Sequence, residues 1–201
     1  MATRIAGRTM ARRGADYTDE VRRLLDAALA VMVQAGSGGR ARVADIVAAA
    51  GLSNDAFYRH FRSKDDLVGA LLEDGTERLR GYLAHQMGKE RTPEGRLRRW
   101  VEGVLAQAHG EVAAATVAVL RNAGSVGGGA ASGRHFASRP LAALLHEPFA
   151  ELGSHDPELD ASIAAHGVLG KLSDHLWART RPNRRDVEQI VSFCLGGVSR
   201  R

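Results

Sequence analysis

At 201 residues, with 44% hydrophobic and 25% charged content, the chain can bury a real core, and its one cysteine, Cys194, excludes an internal disulfide. No stretch approaches the roughly 18 uninterrupted apolar residues of a membrane span, and no apolar run follows the basic N-terminus as in a secretory signal, so cytoplasm is the expected location. The net charge of +5 is uneven: residues 1–64 hold 11 Lys/Arg against 6 Asp/Glu, whereas 65–201 hold 17 against 17, so only the front of the chain is built to face a polyanion.

Ala, Leu and Arg abound, and these residues cost least in a helix. Strand-like period-2 runs between turn signals do not occur. The expected fold is therefore all-α, with about nine helices. Residues 1–16 carry Arg4, Arg8, Arg12 and Arg13 with little apolar periodicity and read as a flexible basic tail. Such an arm could touch phosphate or the minor groove of bound DNA. Thr18, followed by Asp19 and Glu20, suits a helix start, and Val21, Leu24, Leu25, Ala28, Leu29 and Met32 then form one apolar stripe. Gly36 ends it.

A short second helix follows from about Val43 to Ala50, closed by Gly51, where a positive φ is expected. Ser53 caps a third helix of about eight residues. Two short helices joined by a glycine turn make a helix-turn-helix, the shape that lays its second helix in the major groove of DNA. The front of that helix offers Ser53, Asn54 and Asp55. Asn can pair bidentately with adenine, and Asp can accept from the cytosine amino group. Asp55 has a plainer reading as well, since a carboxylate in the first turn complements the helix dipole. Tyr58 and His60, one turn on, are expected at phosphate, and Arg59 at guanine or phosphate. Lys64 stands at the start of the next helix, where its charge and the free backbone N–H groups can meet a phosphate together. Phe57 and Phe61, at i and i+4, share one face and should pin the helix to the first two.

These residues resemble a known family. The apolar first helix, Ala50-Gly51-Leu52-Ser53, Phe57-Tyr58-Arg59-His60-Phe61, Ser63-Lys64 and Leu67 are similar to the N-terminal domain of TetR-type transcriptional regulators, over Val21 to Leu72. The resemblance implies a helix-turn-helix head over residues 17–66 and a ligand-binding and dimerisation part over 67–201. It also implies a homodimer on an inverted-repeat operator in double-stranded DNA, and release of a repressor by a small-molecule effector. Val47, Asp55 and Val43-Ala44 depart from the family's usual residues, so backbone contact at the second helix could pass to Arg40 or Arg42.

Beyond the head, Ser63 with Asp66 forms a capping box for a helix reaching about Met87. Thr92-Pro93 starts another, containing Trp100, and a helix through Val117 follows Gly110. The stretch 124–133 is glycine-rich and holds no regular element. A helix over about Arg139–Leu152 meets Pro148, which should kink or end it. Asp156-Pro157 and Asn183 with Asp186 start the last two. Their apolar faces (Ile163, Val168, Leu169, Leu172, Leu176; Val187, Ile190, Val191, Leu195, Val198) suit a two-fold helix bundle or an internal core equally well. Trp100, His109, Phe136, His146, Phe149, His166 and Trp177 are the distinctive candidates for a ligand pocket of apolar walls with a few polar groups.

An enzyme is not expected: the histidines are scattered, without HExxH or Cys/His metal spacing, and Gly127-Gly128-Gly129 lacks the Lys-Ser/Thr of a phosphate loop. No metal or cofactor is called for. An architectural, nonspecific DNA binder without effector is the competing reading, and the charge-neutral C-terminal part speaks against it.

Overall fold

The computed structural model describes residues 2–36, 39–123 and 138–198, with side chains described from Tyr17 onward. Among the described residues there are helices and no strand. The chain divides into two compact units, Met1–Leu71 with Ala118–Gly124, and Leu72–Val117 with Ser125–Arg201.

In the first unit, α1 (Ala2–Ala35) is longer than expected. Thr18 lies inside the helix rather than at its start, and the backbone of the segment read as a tail is helical from Ala2. Ala, Arg, Met and Ile carry the helix through it, and no proline interrupts. Contact between its arginines and DNA concerns side chains outside the described residues. The apolar stripe packs as anticipated, with Leu24, Ala28 and Met32 fully buried.

Helix α2 (Val43–Ala50) buries Ile46, Val47 and Ala50. Gly51 ends it in the left-handed region (φ 62°, ψ 38°), and its amide and that of Leu52 close the turn on the carbonyls of Ala48 and Val47. Helix α3 (Asn54–His60) starts on Ser53, whose hydroxyl accepts from Ala56 N at 3.1 Å. Helix α4 (Lys64–Met87) is capped by Ser63, which accepts from the Asp66 amide, while the Asp66 carboxylate accepts from Arg62 N. Leu67, Val68 and Leu71 are buried in the first unit.

The second unit is organised around α5 (Pro93–Leu105), capped by Thr92 with Pro93 at the first helical position. A 3₁₀ turn over Ala106–Ala108 leads into α6 (Gly110–Asn122). Residues 138–142 are helical, and a 3₁₀ turn, Ala143–Leu145, separates them from α7 (His146–Glu151). The break therefore falls one turn before Pro148. Proline lacks an N–H and its ring crowds the carbonyl four residues back, here Leu144, so the chain re-enters a helix with Pro148 in the first turn, where its missing donor costs nothing.

Helix α8 (Pro157–Ala178) is capped by Asp156, and α9 (Arg184–Gly197) by an Asn183–Asp186 capping box. Arg179 ends α8 at φ 53° without being glycine, a conformation that costs an L-residue about 1–2 kcal/mol. The Thr180 amide returns to His175 O and closes the turn.

The core of this unit gathers Leu83, Trp100, Leu141, Phe149, Val168, Leu172, Leu176 and Val191. Most of the last helices' apolar faces belong to this core. Val168, Leu172, Leu176 and Val191 are buried inside their own unit, with Leu169, Val187, Ile190 and Leu195 packed against it. Ile163, from the same expected face, stays exposed, as do Leu159 and Trp177 on α8 and Phe193 on α9, the last 77% exposed.

Candidate nucleic-acid interface

The exposed front of α3 follows from how the helix is pinned. Phe57 is fully buried and Phe61 nearly so, with ring centroids 5.7 Å apart. Residues three and four apart share a helix face, so burying Phe57 turns Asp55, Tyr58 and Arg59 outward together; Asn54, in the first turn, and Ser53 are exposed beside them. Tyr58 is 59% exposed, its ring edge-on to Phe57 at 5.2 Å. Arg42, the residue before α2, is exposed too.

His60 is placed differently from expectation. Its side chain is 1% exposed, its ring lies edge-on to Tyr17 at 4.4 Å, and Nε2 donates to Glu20 Oε2 at 2.7 Å. Only its Nδ1 has no partner. The ring therefore faces α1 rather than outward with Tyr58 and Arg59. The signal lay in the spacing, since His60 is three residues after Phe57 and so shares its inner face.

The same Glu20 oxygen accepts from Arg59 Nη2 at 2.9 Å. The hydrogen bond from His60 and the positive Arg59 hold the Glu20 carboxyl below its ordinary range. A carboxylate depressed on folding stabilises the fold above its unfolded value and loses that contribution as pH falls through the folded one, so this tie is intact at neutral pH. Lys64 Nζ donates to Ala41 O at 3.2 Å, tying the start of α4 to the residues before α2 while its ammonium stays partly exposed.

Three further residues of this unit carry weight that no local pattern revealed. Arg23 Nη2 donates to Ala50 O at 2.6 Å and Gly51 O at 3.3 Å, placing a cation on the end of α2. Asn122, only 2% exposed at the end of α6, accepts from Ala41 N at 3.1 Å and donates to Ala118 O. Ala41 thus has its amide held by Asn122 and its carbonyl by Lys64. Glu20 is the third. Apart from Ala118, each partner lies more than twenty residues away in sequence, beyond the reach of cap or periodicity signals.

Six of the seven pocket candidates lie among the described residues. Trp100 and Phe149 are both in the core of the second unit, and the Trp100 indole N–H is satisfied by Leu141 O at 3.0 Å. His109, His166 and Trp177 are exposed, and His146 is half-buried. His166 Nδ1 sits 2.7 Å from its own helix's Ser162 carbonyl. Phe136 and the glycine-rich stretch 124–133 lie outside the described residues.

Among the described residues no single helix is long and apolar enough to cross a membrane. No functionally curated protein matches the chain. Its fold is shared with the fatty acid degradation regulator FadR of Bacillus halodurans (20% identity, 89% of this chain and 99% of that one, TM-score 0.65). The reduced form of E. coli NemR is similar at 18% identity over 90% of this chain and 97% of its own, with a TM-score of 0.61. The regulator FadR of Bacillus subtilis, solved in complex with stearoyl-CoA, gives 17%, 89%, 99% and 0.60. Residues 24–71, which run from the buried Leu24 of α1 to the end of the first unit's share of α4, match the family model of bacterial regulatory proteins, tetR family. Over those residues the chain is similar to the tetR family of bacterial regulators, and the fold of the rest is shared with solved proteins of that kind.

Proposed function

We propose that this chain is a sequence-specific regulator of transcription, a repressor that binds an inverted-repeat operator as a homodimer and is released by a small-molecule effector bound in the second unit. One observation carries the reading: α3 presents Asn54, Asp55, Tyr58 and Arg59 outward on a helix whose back is locked by Phe57 and Phe61. That is the arrangement a recognition helix needs to reach base edges with its N-terminal half. Asn54, Asp55 and Arg59 are assigned to bases. Arg42, Ser53, Tyr58 and Lys64 are assigned to the backbone, and His60 to holding the helix.

The exposed Leu159, Ile163, Trp177 and Phe193 favour a second copy as partner, because apolar side chains of this size on two neighbouring helices gain most by burial. Two heads on a two-fold axis then meet two half-sites. Effector release is a shift between two states that bind DNA differently. The B. subtilis FadR complex with stearoyl-CoA supports a ligand-responsive role for this fold and makes long-chain acyl-CoA a first effector to try.

Two substitutions test the division of labour. Lys64→Ala should weaken binding to all sequences alike and lower the salt slope by about 1. Asn54→Ala should instead relax preference at one base pair, by about 1–3 kcal/mol, with the slope retained. Binding measured on operator and random DNA across a salt series separates them, and a Lys64→Ala change in sequence preference would contradict its assignment.

A further inference from the structure

The Arg59–Glu20 pair bears on how the recognition helix reads. Arg59 is the one long basic side chain on the outer face of α3, with its side chain 58% exposed. It is not loose. Nη2 donates to Glu20 Oε2, and that carboxylate is itself fixed by the buried His60 through the same oxygen. Tyr17 closes the other side of the His60 ring. A guanidinium has five N–H donors in a rigid planar fork. One is used here, so one end of the fork is tied to α1 while the other donors are left for a ligand.

Without such a partner, an exposed arginine is held by nothing and meets whichever phosphate lies nearest, adding to sequence-independent affinity. With it, a phosphate contact must either break the pair, leaving a bare carboxylate beside the polyanion, or share a charge already half neutralised. A guanine, offering O6 and N7 to the free edge, needs no such exchange.

Resting on the DNA-binding reading above, we infer that Glu20, on α1 and outside the helix-turn-helix, is a positioning residue for base recognition: it orients Arg59 toward a guanine in the operator and withholds its charge from the phosphates. His60 is the buried post that keeps Glu20 in place. Specificity at this position is therefore written in α1 as well as in α3.

Glu20→Gln tests this. The amide keeps an oxygen acceptor for His60 Nε2 but removes the charge that restrains Arg59. Wild type, Glu20→Gln, Arg59→Ala and the double variant are compared by selection from randomised DNA and by binding to the selected site and to random DNA across a salt series, with thermal melting as a control of the fold. The expected result for Glu20→Gln is a melting temperature close to wild type and about fivefold loss of discrimination at one base pair per half-site, the lower end of what a bidentate Arg–guanine contact supplies. Affinity for random DNA should rise two- to fivefold, about what release of an exposed ion pair provides, and the salt slope should steepen by about 1. In the Arg59→Ala background the same substitution should change neither specificity nor slope.

Unchanged specificity and slope in Glu20→Gln would overturn the inference, as would an equal effect with and without Arg59. If Glu20→Gln melts well below wild type, Glu20→Asp, which keeps the charge on a shorter side chain, replaces it in the same cycle, and a base-specific effect that vanishes without Arg59 is again required. Wild-type protein that selects no DNA sequence at all would instead fall on the proposed function, and this inference would go with it.

Discussion

Phe57→Ala is expected to remove about 3–5 kcal/mol from the first unit, the range found when a fully buried phenylalanine leaves a cavity. That is a large share of the stability of a small helical head. Phe57 contacts Phe61 and Tyr58, and its burial is what turns the polar side of α3 outward. Its loss should abolish specific DNA binding without touching any residue assigned to DNA. Hydrogen exchange read by peptide checks the cause: protection should fall across residues 43–61 and persist in α8. Phe57→Leu, which keeps most of the volume, should retain binding. Full DNA affinity in Phe57→Ala, or lost protection in α8 alone, would show that the helix is held some other way.

The second large effect is in the other unit. Trp100 is fully buried, and its indole N–H donates to Leu141 O. Trp100→Phe deletes ring volume and leaves a buried carbonyl without its donor, together about 2–4 kcal/mol. Trp100→Ala should cost 3–5 kcal/mol, or about the whole margin of a marginal domain. This outcome also separates core from pocket. A tryptophan lining an effector site would, when replaced by phenylalanine, alter effector response with little change in melting temperature. The packing of Trp100 predicts the reverse, a lowered melting temperature as the primary effect, measured by calorimetry on the full chain.

The sequence was most informative where a signal is local. Gly51 needs its positive φ within one turn, Ser53 and Thr92 reach an amide three residues on, and Asn183 and Asp186 cap each other across the same interval. Phe57 and Phe61 announced their shared face by spacing alone. Helices α2 to α4 were therefore legible almost to the residue, and so were the starts of α5 and of the last two. Contacts that join distant segments were not. Glu20 looked like a dipole partner at a helix start because Thr18 looked like a cap, and only the folded chain brings it to His60 and Arg59. Asn122 gave no hint that it would hold Ala41. The apolar faces of α8 and α9 could have been a dimer seam or a core, because periodicity shows that a face is buried and not by what. Packing decided for the core and left Leu159, Ile163, Trp177 and Phe193 outside it.

His60 shows the same limit from the other direction. A histidine beside tyrosine and arginine on a recognition helix invites a phosphate contact, yet its position relative to Phe57 already put it inside. Charge type suggested one role, and helical geometry imposed the other.

Everything assigned to α3 depends on the chain binding DNA by sequence. The most direct measurement is a footprint of the purified protein on the DNA flanking its own coding region, at about 150–200 mM salt, where purely electrostatic binding is largely lost. A discrete protected region is expected, containing an inverted repeat with half-sites about one helical turn apart or a multiple of it. Protection should vanish in Phe57→Ala. Uniform coverage without a preferred site, or a site still protected after Asn54, Asp55 and Arg59 are all replaced by alanine, would contradict the assignments to α3.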